Sequence, residues 1–247
     1  MYNYSPSPTL LADRIILVTG AGDGIGRAAA KSFAAHGATV ILLGRTIKKL
    51  EAVYDEIEQA GHPQPAIYPM NFEGASPNDY ENLANTLETE FGRLNGLLHN
   101  ASLLGTLTPL ELYEIKQWYQ VMQVNVNAPF LLTKACLGLM KRAQDASIVF
   151  TSSTVGRKGR AYWGAYSVSK FATEGMMQIL ANELEANSTI RVNSLNPGAT
   201  RTAMRAAAYP GEEPMNLPQA EAIMPLYLYL MGPDSRDING QALNAQE

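Results

Sequence analysis

The chain reads as a single α/β domain, a doubly wound parallel sheet of about seven strands with helices on both faces. Three observations predict it. Short β-branched apolar runs alternate with segments of helical apolar spacing along almost the whole chain. Parallel strands joined by right-handed helical crossovers satisfy that alternation most economically. The length, 247 residues, suits one α/β domain, and no Pro/Gly/Ser-rich linker divides it.

Residues 1–13 hold two prolines and two serines in their first eight positions and no periodicity, so a loosely held arm is expected before a domain over 14–247. Arg14 to Thr19 is a short apolar run ending at Gly20, hence a strand. In Gly24 to His36, Ile25, Ala28, Ala29 and Phe33 recur at helical spacing, and Gly37 stops the helix. Val40 to Leu43 is a strand; Lys48 to Ala60 is a helix with Leu50, Val53, Tyr54 and Ile57 on one face. There follow a strand near Ala66 to Met70, a helix through Leu83, Leu87 and Phe91, and a strand at Leu97 to His99. A long helical region is expected from about Glu111 to Arg142, then a strand at Ser147 to Thr151. A helix from about Tyr162 to Leu184, a strand at Ile190 to Leu195, an irregular stretch, a helix around Ala222 to Leu230 and a strand at Ala242 to Leu243 complete the pattern.

Composition narrows the functional classes. A hydrophobic share of 46% supports a core of ordinary size and excludes disorder for most of the chain. Net charge is −4, so no basic field is present to collect nucleic-acid phosphate. Cys136 is the single cysteine, Met1 to Arg14 lacks a cationic stretch leading into an apolar one, and Ala222 to Met231 is too short for the ~20 residues of a bilayer span. A cytoplasmic protein without nucleic-acid or membrane partners is expected. The histidines and the cysteine are scattered without ligand spacing, so no metal site is expected. The charged fraction of 17% falls below the roughly 25% of a typical domain, as if a partner covered part of the surface.

Between the first strand and first helix runs Thr19-Gly20-Ala21-Gly22-Asp23-Gly24-Ile25-Gly26. Gly20 suits the tight turn off the strand, Gly24 lets the backbone approach a pyrophosphate, and Gly26 allows close helix–strand packing. The helix N-terminus then offers free N–H groups and positive dipole to phosphates, so a Rossmann dinucleotide loop is expected, the bland alternative being a purely structural turn. The second strand ends in Gly44-Arg45. An acidic residue there would bond the ribose hydroxyls of NAD, whereas glycine followed by arginine leaves room and charge for a 2′-phosphate. NADP(H) is therefore preferred over NAD(H); the bland alternative is that Arg45 merely begins the next helix as a solvated charge.

Tyr166 and Lys170 stand four residues apart on an expected helix and share one face. A neighbouring ammonium would lower the phenol pKa from near 10, as proton transfer requires. Thirteen residues before Tyr166 lies Ser153, just past the strand Ile148-Val149-Phe150-Thr151, where its hydroxyl could hold a substrate oxygen. Ser152 or Thr151 could serve instead, and spacing does not choose.

These residues, with His99-Asn100-Ala101-Ser102, Asn125, and Asn196-Pro197-Gly198 followed by Thr202, resemble the short-chain dehydrogenase/reductases over essentially the whole chain. The runs Arg14 to Thr19, Val121 to Asn127 and Phe171 to Met177 resemble the bacterial YciK-type branch more narrowly. The resemblance implies a tetrad: Tyr166 as general acid or base, Lys170 on the nicotinamide ribose, Ser153 orienting the substrate oxygen, and Asn125 holding a water that links Lys170 to solvent. It also implies cofactor contacts from Gly20, Gly22, Asp23, Gly24, Ile25, Gly26, Arg45, Asn71, Phe72, Asn100, Ala101, Tyr166, Lys170, Pro197, Gly198, Thr200 and Thr202. Asn71 stands where the family commonly has an aspartate against adenine, and its amide oxygen can still accept a hydrogen bond there. The family's asparagine-asparagine-alanine-glycine run is altered at His99 and Ser102; His99 reads as a packed strand-end residue.

The expected activity is hydride transfer between NADP(H) and a small carbonyl or alcohol substrate. The alternative is a nucleotide sensor on the same fold, which would have no need of the Asn/Ser/Tyr/Lys set. A sugar-nucleotide epimerase fits less well, because those relatives carry a larger C-terminal substrate region. Cys136 reads as core, and Arg157, Lys158 and Arg160 read as a solvated loop that could otherwise attract an anionic substrate. Val121 to Thr133 contains no charge, and Ala161 to Asn182 contains only Lys170 and Glu174. A homodimer or homotetramer joined through those two helices is therefore expected.

Overall fold

The structure, a computed structural model, describes residues 1–246. The strands are β1 (Ile15–Thr19), β2 (Thr39–Gly44), β3 (Ala66–Pro69), β4 (Gly96–His99), β5 (Ala146–Thr151), β6 (Ile190–Asn196) and β7 (Ala242–Asn244). The described residues place all seven in one parallel sheet ordered β3-β2-β1-β4-β5-β6-β7. The chain winds outward from β1 to β3 and then returns to pair β4 with the other side of β1. That reversal opens a crevice at the carboxyl ends of β1 and β4, where open α/β sheets bind ligands.

The helices are α1 (Gly24–Ala35), α2 (Ile47–Gln59), α3 (Pro77–Phe91), α4 (Ile115–Met122), α5 (Ala128–Lys141), α6 (Gly164–Glu185), α7 (Ala203–Ala208) and α8 (Met224–Met231). Successive strand residues face opposite sides of the sheet and build two cores. Ile16, Val18, Val40, Leu42 and Val149 pack with α1, α2 and α8. Leu17, Ile41, Leu43, Ile148 and Phe150 pack with α3, α5 and α6. Burial on both faces explains why these strands read as continuous apolar runs rather than alternating ones.

Several expectations are corrected. The helical region expected from 111 to 142 is broken by a π-helical turn at Gln123–Asn127, in which Ala128 N–H donates to the Gln123 carbonyl. Pro129 is the physical reason: without an N–H it cannot serve the Asn125 carbonyl one turn back. The helix expected from Tyr162 begins at Gly164, because Tyr162 takes a left-handed φ of 73°. The irregular stretch after β6 contains the short helix α7. The N-terminal segment is packed rather than loose. Leu10 and Leu11 enter the first core, Tyr2 N–H donates to Ala245 O at 3.0 Å, and Tyr4 donates to Asp234 at 2.7 Å. The rings of Tyr2 and Tyr4 rest on Tyr229.

At the amino ends of the strands Asp145 joins Arg14 at 2.7 Å and Arg191 at 3.1 Å. Burial pushes the Asp145 carboxyl up, but the two guanidiniums outweigh that and hold it below the usual carboxylate range. Among the described residues no helix is long and apolar enough to cross a membrane.

Candidate active site

The glycine loop meets β4 through one threonine. Thr19 Oγ1 donates to Leu98 O at 3.1 Å and accepts the N–H groups of Asn100 at 2.9 Å and Ala101 at 3.0 Å. This closes the floor of the crevice. A Cβ on Gly26 would lie 2.2 Å from Gly20 O, so no other residue fits there, and Gly20 and Gly24 adopt φ of 69° and 50°. Asp23 caps α1, accepting Gly24 N–H at 2.8 Å. It is also paired with Lys49, whose hydrogen bond holds the Asp23 carboxyl below its usual range.

At the same end of the crevice Arg45 follows β2 and pairs with Glu73 at 3.0 Å. Two cations therefore border this end, of which the sequence reading named one. Lys49 was missed because it lies one helical turn beyond the motif, and only the packing of α2 on the glycine loop brings it beside Gly22. Asn71 lines the crevice, and its Oδ1 accepts Glu73 N–H at 3.3 Å. Phe72 borders the space, with its ring stacked on Tyr80 at 5.9 Å between centroids. A polar atom without a partner, Ser102 Oγ, is buried in the wall of the crevice. The glycines that no Cβ could replace, the paired cations and this orphaned hydroxyl together fit a phosphate-rich dinucleotide.

Ser153, Tyr166 and Lys170 come together on the wall formed by β5 and α6. Tyr166 is buried, which pushes its phenol up to about 12, opposed by the neighbouring Ser153 hydroxyl. The neighbouring hydroxyls are committed elsewhere: Ser152 donates to Glu174 at 2.6 Å and Thr151 Oγ1 lies 3.2 Å from Tyr227 Oη. Of the three hydroxyls that spacing left equivalent, Ser153 is the one beside Tyr166, and its oxygen accepts Val155 N–H at 3.4 Å. Lys170 Nζ donates to Thr151 O at 2.7 Å and lies 5.5 Å from the centre of the Tyr166 ring. Burial pushes Lys170 down to about 8, with the Glu174 carboxylate opposing. The expected lowering of the Tyr166 pKa is absent, because loss of water dominates and the ammonium is bonded to a carbonyl rather than to the phenol.

Asn125 does not line the crevice. Its side chain is buried behind it, accepting Leu103 N–H at 2.8 Å and donating to Leu103 O at 2.9 Å and Ser169 Oγ at 3.0 Å. Both amide protons are thus used within the wall, while Oδ1 accepts a single bond. His99 is packed as expected: its ring stacks on Phe150, Nε2 lies 2.8 Å from Thr133 Oγ1, and burial pushes its pKa down to about 3. Cys136 is buried, which pushes its thiol up to about 12.

The remaining wall follows β6. Pro197, Gly198, Thr200 and Thr202 all line the crevice. Gln246, which no sequence signal singled out, ties this loop by donating to Pro197 O at 2.7 Å and Ala199 O at 3.1 Å. Thr202 caps α7, accepting Arg205 N–H at 3.1 Å. From α7, Arg205 stacks over Tyr209 at 3.7 Å and forms a two-point pair with Glu212. Trp163 stands between Tyr166 and Tyr209, 5.8 Å from each ring centre. The whole crevice has a volume of about 850 Å³, enough for a dinucleotide and a small second molecule together.

Among the described residues no cluster of three or more histidine, cysteine or acidic side chains could hold a metal ion. A family model described as short chain dehydrogenase matches residues 14–213. The oxidoreductase YciK of Escherichia coli K12, itself uncharacterized, is 52% identical over 244 residues, covering 99% of this chain and 96% of that one. A protein described as a short chain dehydrogenase from Pseudomonas syringae superposes with a TM-score of 0.98 at 63% identity over all of both chains. Another, from Escherichia coli CFT073 and complexed with NADPH, gives a TM-score of 0.95 at 52% identity, covering 98% of this chain and all of that one.

Proposed function

The chain belongs to the short-chain dehydrogenase family of oxidoreductases, and on that premise we propose that it reduces a carbonyl compound, or oxidises the matching alcohol, with NADP(H). The reading rests on one observation above the others: Ser153, Tyr166 and Lys170 share a wall of the crevice whose opposite end is the glycine loop. The NADPH complex of a 52% identical relative supports the choice of cofactor.

In this reading the glycine loop and the N-terminus of α1 hold the pyrophosphate, and Arg45 and Lys49 face the 2′-phosphate. Asn71 takes the adenine edge, Asn100 and Ala101 the floor, and Thr200 and Thr202 the loop side. When bound, NADPH supplies the hydride to the carbonyl carbon and leaves as NADP⁺. Ser153 orients the carbonyl oxygen, Tyr166 Oη gives it a proton, and solvent returns that proton to the phenolate. Lys170 supplies positive charge beside the phenolate as it forms. Asn125 fixes the Leu103 backbone, and its main-chain carbonyl, one turn before Pro129, would hold a water behind Lys170.

The exposed apolar side chains Phe130 on α5 and Val168, Phe171 and Ile179 on α6 support assembly as a homodimer or homotetramer. A buried, solitary cysteine suits the reducing cytoplasm. The deciding experiment follows NADPH oxidation over aldehydes, ketones, quinones and ketoacyl thioesters, with Tyr166→Phe as control. Turnover by the wild type and its loss in the variant are expected. Tight NADPH binding without turnover of any member would establish a sensor instead.

A further inference from the structure

Resting on the carbonyl-reducing reading, we propose that the substrate carries an anionic group, held by Arg160, on an aromatic or otherwise flat body laid along Trp163 and Tyr209. The charge distribution of the crevice carries the argument. Its acidic lining residues are Asp23 and Glu73, both at the cofactor end and each neutralised there, by Lys49 and Arg45. The wall beyond Tyr166 has no lining carboxylate among the described residues, yet it presents Lys158, Arg160 and Arg205.

Those cations are not equivalent. Arg205 is satisfied by its two-point pair with Glu212. Arg157, which the sequence grouped with them, points away, donating to Glu174 at 3.0 Å and Asn244 at 2.7 Å. Lys158 and Arg160 have no carboxylate within pairing distance among the described residues. Arg160 is nonetheless positioned, since Nη1 donates to Tyr209 Oη at 2.8 Å and the guanidinium lies 5.8 Å from that ring's centre. One bond to a neutral phenol leaves the rest of its donor fork open.

From the reacting phenol outward the wall therefore runs Tyr166, Trp163, Tyr209, Arg160. Two flat rings followed by a held, unpaired guanidinium match a molecule with a carbonyl at one end, a planar middle and a carboxylate or similar anion at the other. Buried stacking area would set its orientation, and the charge would steer it into the crevice and fix its depth.

The test uses two acids of different reach, 4-carboxybenzaldehyde and 4′-formylbiphenyl-4-carboxylic acid, each against its own methyl ester, with NADPH and the full chain. At least one acid should exceed its ester by tenfold or more in kcat/KM, mainly through KM. That ratio should fall towards one in Arg160→Met, survive in part in Arg160→Lys, and shrink as salt is raised. Equal turnover of acid and ester by the wild type overturns the proposal. So does weaker NADPH binding in Arg160→Met, which would assign the guanidinium to the cofactor. If neither aldehyde is reduced, the tryptophan fluorescence of the NADPH-loaded protein decides instead, and the carbonyl-reducing reading fails only if no other carbonyl compound is reduced either. Quenching by the acids that is lost in Arg160→Met upholds anion recognition, and quenching equal for acid and ester ends it.

Discussion

Lys170 Nζ donates to the main-chain carbonyl of Thr151 at 2.7 Å, which holds the ammonium at the end of β5 while Tyr166 stands one helical turn earlier. Fixed there and buried, the lysine titrates at about 8, whereas the phenol is pushed up to about 12. Across neutral pH Tyr166 keeps the proton it would give to a carbonyl, and the group that changes charge is Lys170. Its ammonium is present below about 8 and lost above. We expect kcat/KM for NADPH, which reports the free enzyme, to fall about tenfold per pH unit on the alkaline side of that value. Glu174 favours the ammonium, so Glu174→Gln should move the falling limb to lower pH. An unmoved limb would separate Glu174 from the lysine.

Replacing Tyr166 by Phe removes the proton donor but little volume. Turnover should drop by roughly 10²- to 10⁴-fold, the range of a positioned general acid. The NADPH dissociation constant, read by fluorescence titration, should stay within about twofold, well under the 1.4 kcal/mol that a tenfold change represents.

Arg45 and Lys49 bear on cofactor choice. Arg45→Ala should weaken NADPH by about tenfold and NADH much less, because a charge-assisted bond is lost only where a 2′-phosphate exists. Lys49→Ala should act in the same direction. Isothermal titration with both nucleotides checks the pair, and equal losses for NADPH and NADH would remove the 2′-phosphate assignment.

Gly26 and Gly22 offer a contrast within one loop. A methyl on Gly26 would stand 2.2 Å from Gly20 O, a backbone atom, so Gly26→Ala should abolish nucleotide binding and lower stability by about 1–3 kcal/mol or more. A methyl on Gly22 meets Lys49 Cβ at 2.9 Å, part of an exposed side chain that can shift. Gly22→Ala should fold normally and bind more weakly. Thermal melts with and without NADPH separate the two.

Asp145 lies far from the crevice and tests the fold alone. Asp145→Ala leaves Arg14 and Arg191 without their shared carboxylate. Both retain carbonyl partners, Arg14 at Asn95 and Arg191 at Leu230 and Gly232, so the loss should sit near the lower end of the range for a broken buried pair, about 3 kcal/mol. The Asp145 carboxyl is held below its usual range, so its contribution is complete above the ordinary carboxylate pKa and is lost as pH falls through the folded value. The difference between wild type and variant in urea unfolding should therefore shrink on acidification.

What could be read without coordinates was whatever local covalent chemistry dictates. Apolar runs such as Ile148 to Phe150, buried on both faces of a parallel sheet, give strands wherever they occur. The turn at Gly20 and the contact at Gly26 admit no side chain, so the loop announces itself. Tyr166 and Lys170 share a face because a helix repeats every 3.6 residues. Breaks were harder to see. The π-helical turn at Gln123–Asn127 hides inside helical periodicity, and its one local sign is Pro129.

By itself, then, the sequence determined the alternating architecture, the glycine loop and the shared helix face of Tyr166 and Lys170, since each follows from backbone sterics or from spacing within one element. Tertiary structure alone decided which hydroxyls beside Tyr166 are bonded elsewhere, because Ser152 and Thr151 are claimed by Glu174 and Tyr227 from other elements. It also decided that Lys49 joins Arg45, that Asn125 braces Leu103 from behind the wall, and that Arg160 is held on Tyr209 while Arg157 turns away. Hydrogen-bond partners and burial are set by contacts between distant segments. They therefore fix what a side chain can still do in a way its position in the sequence cannot express.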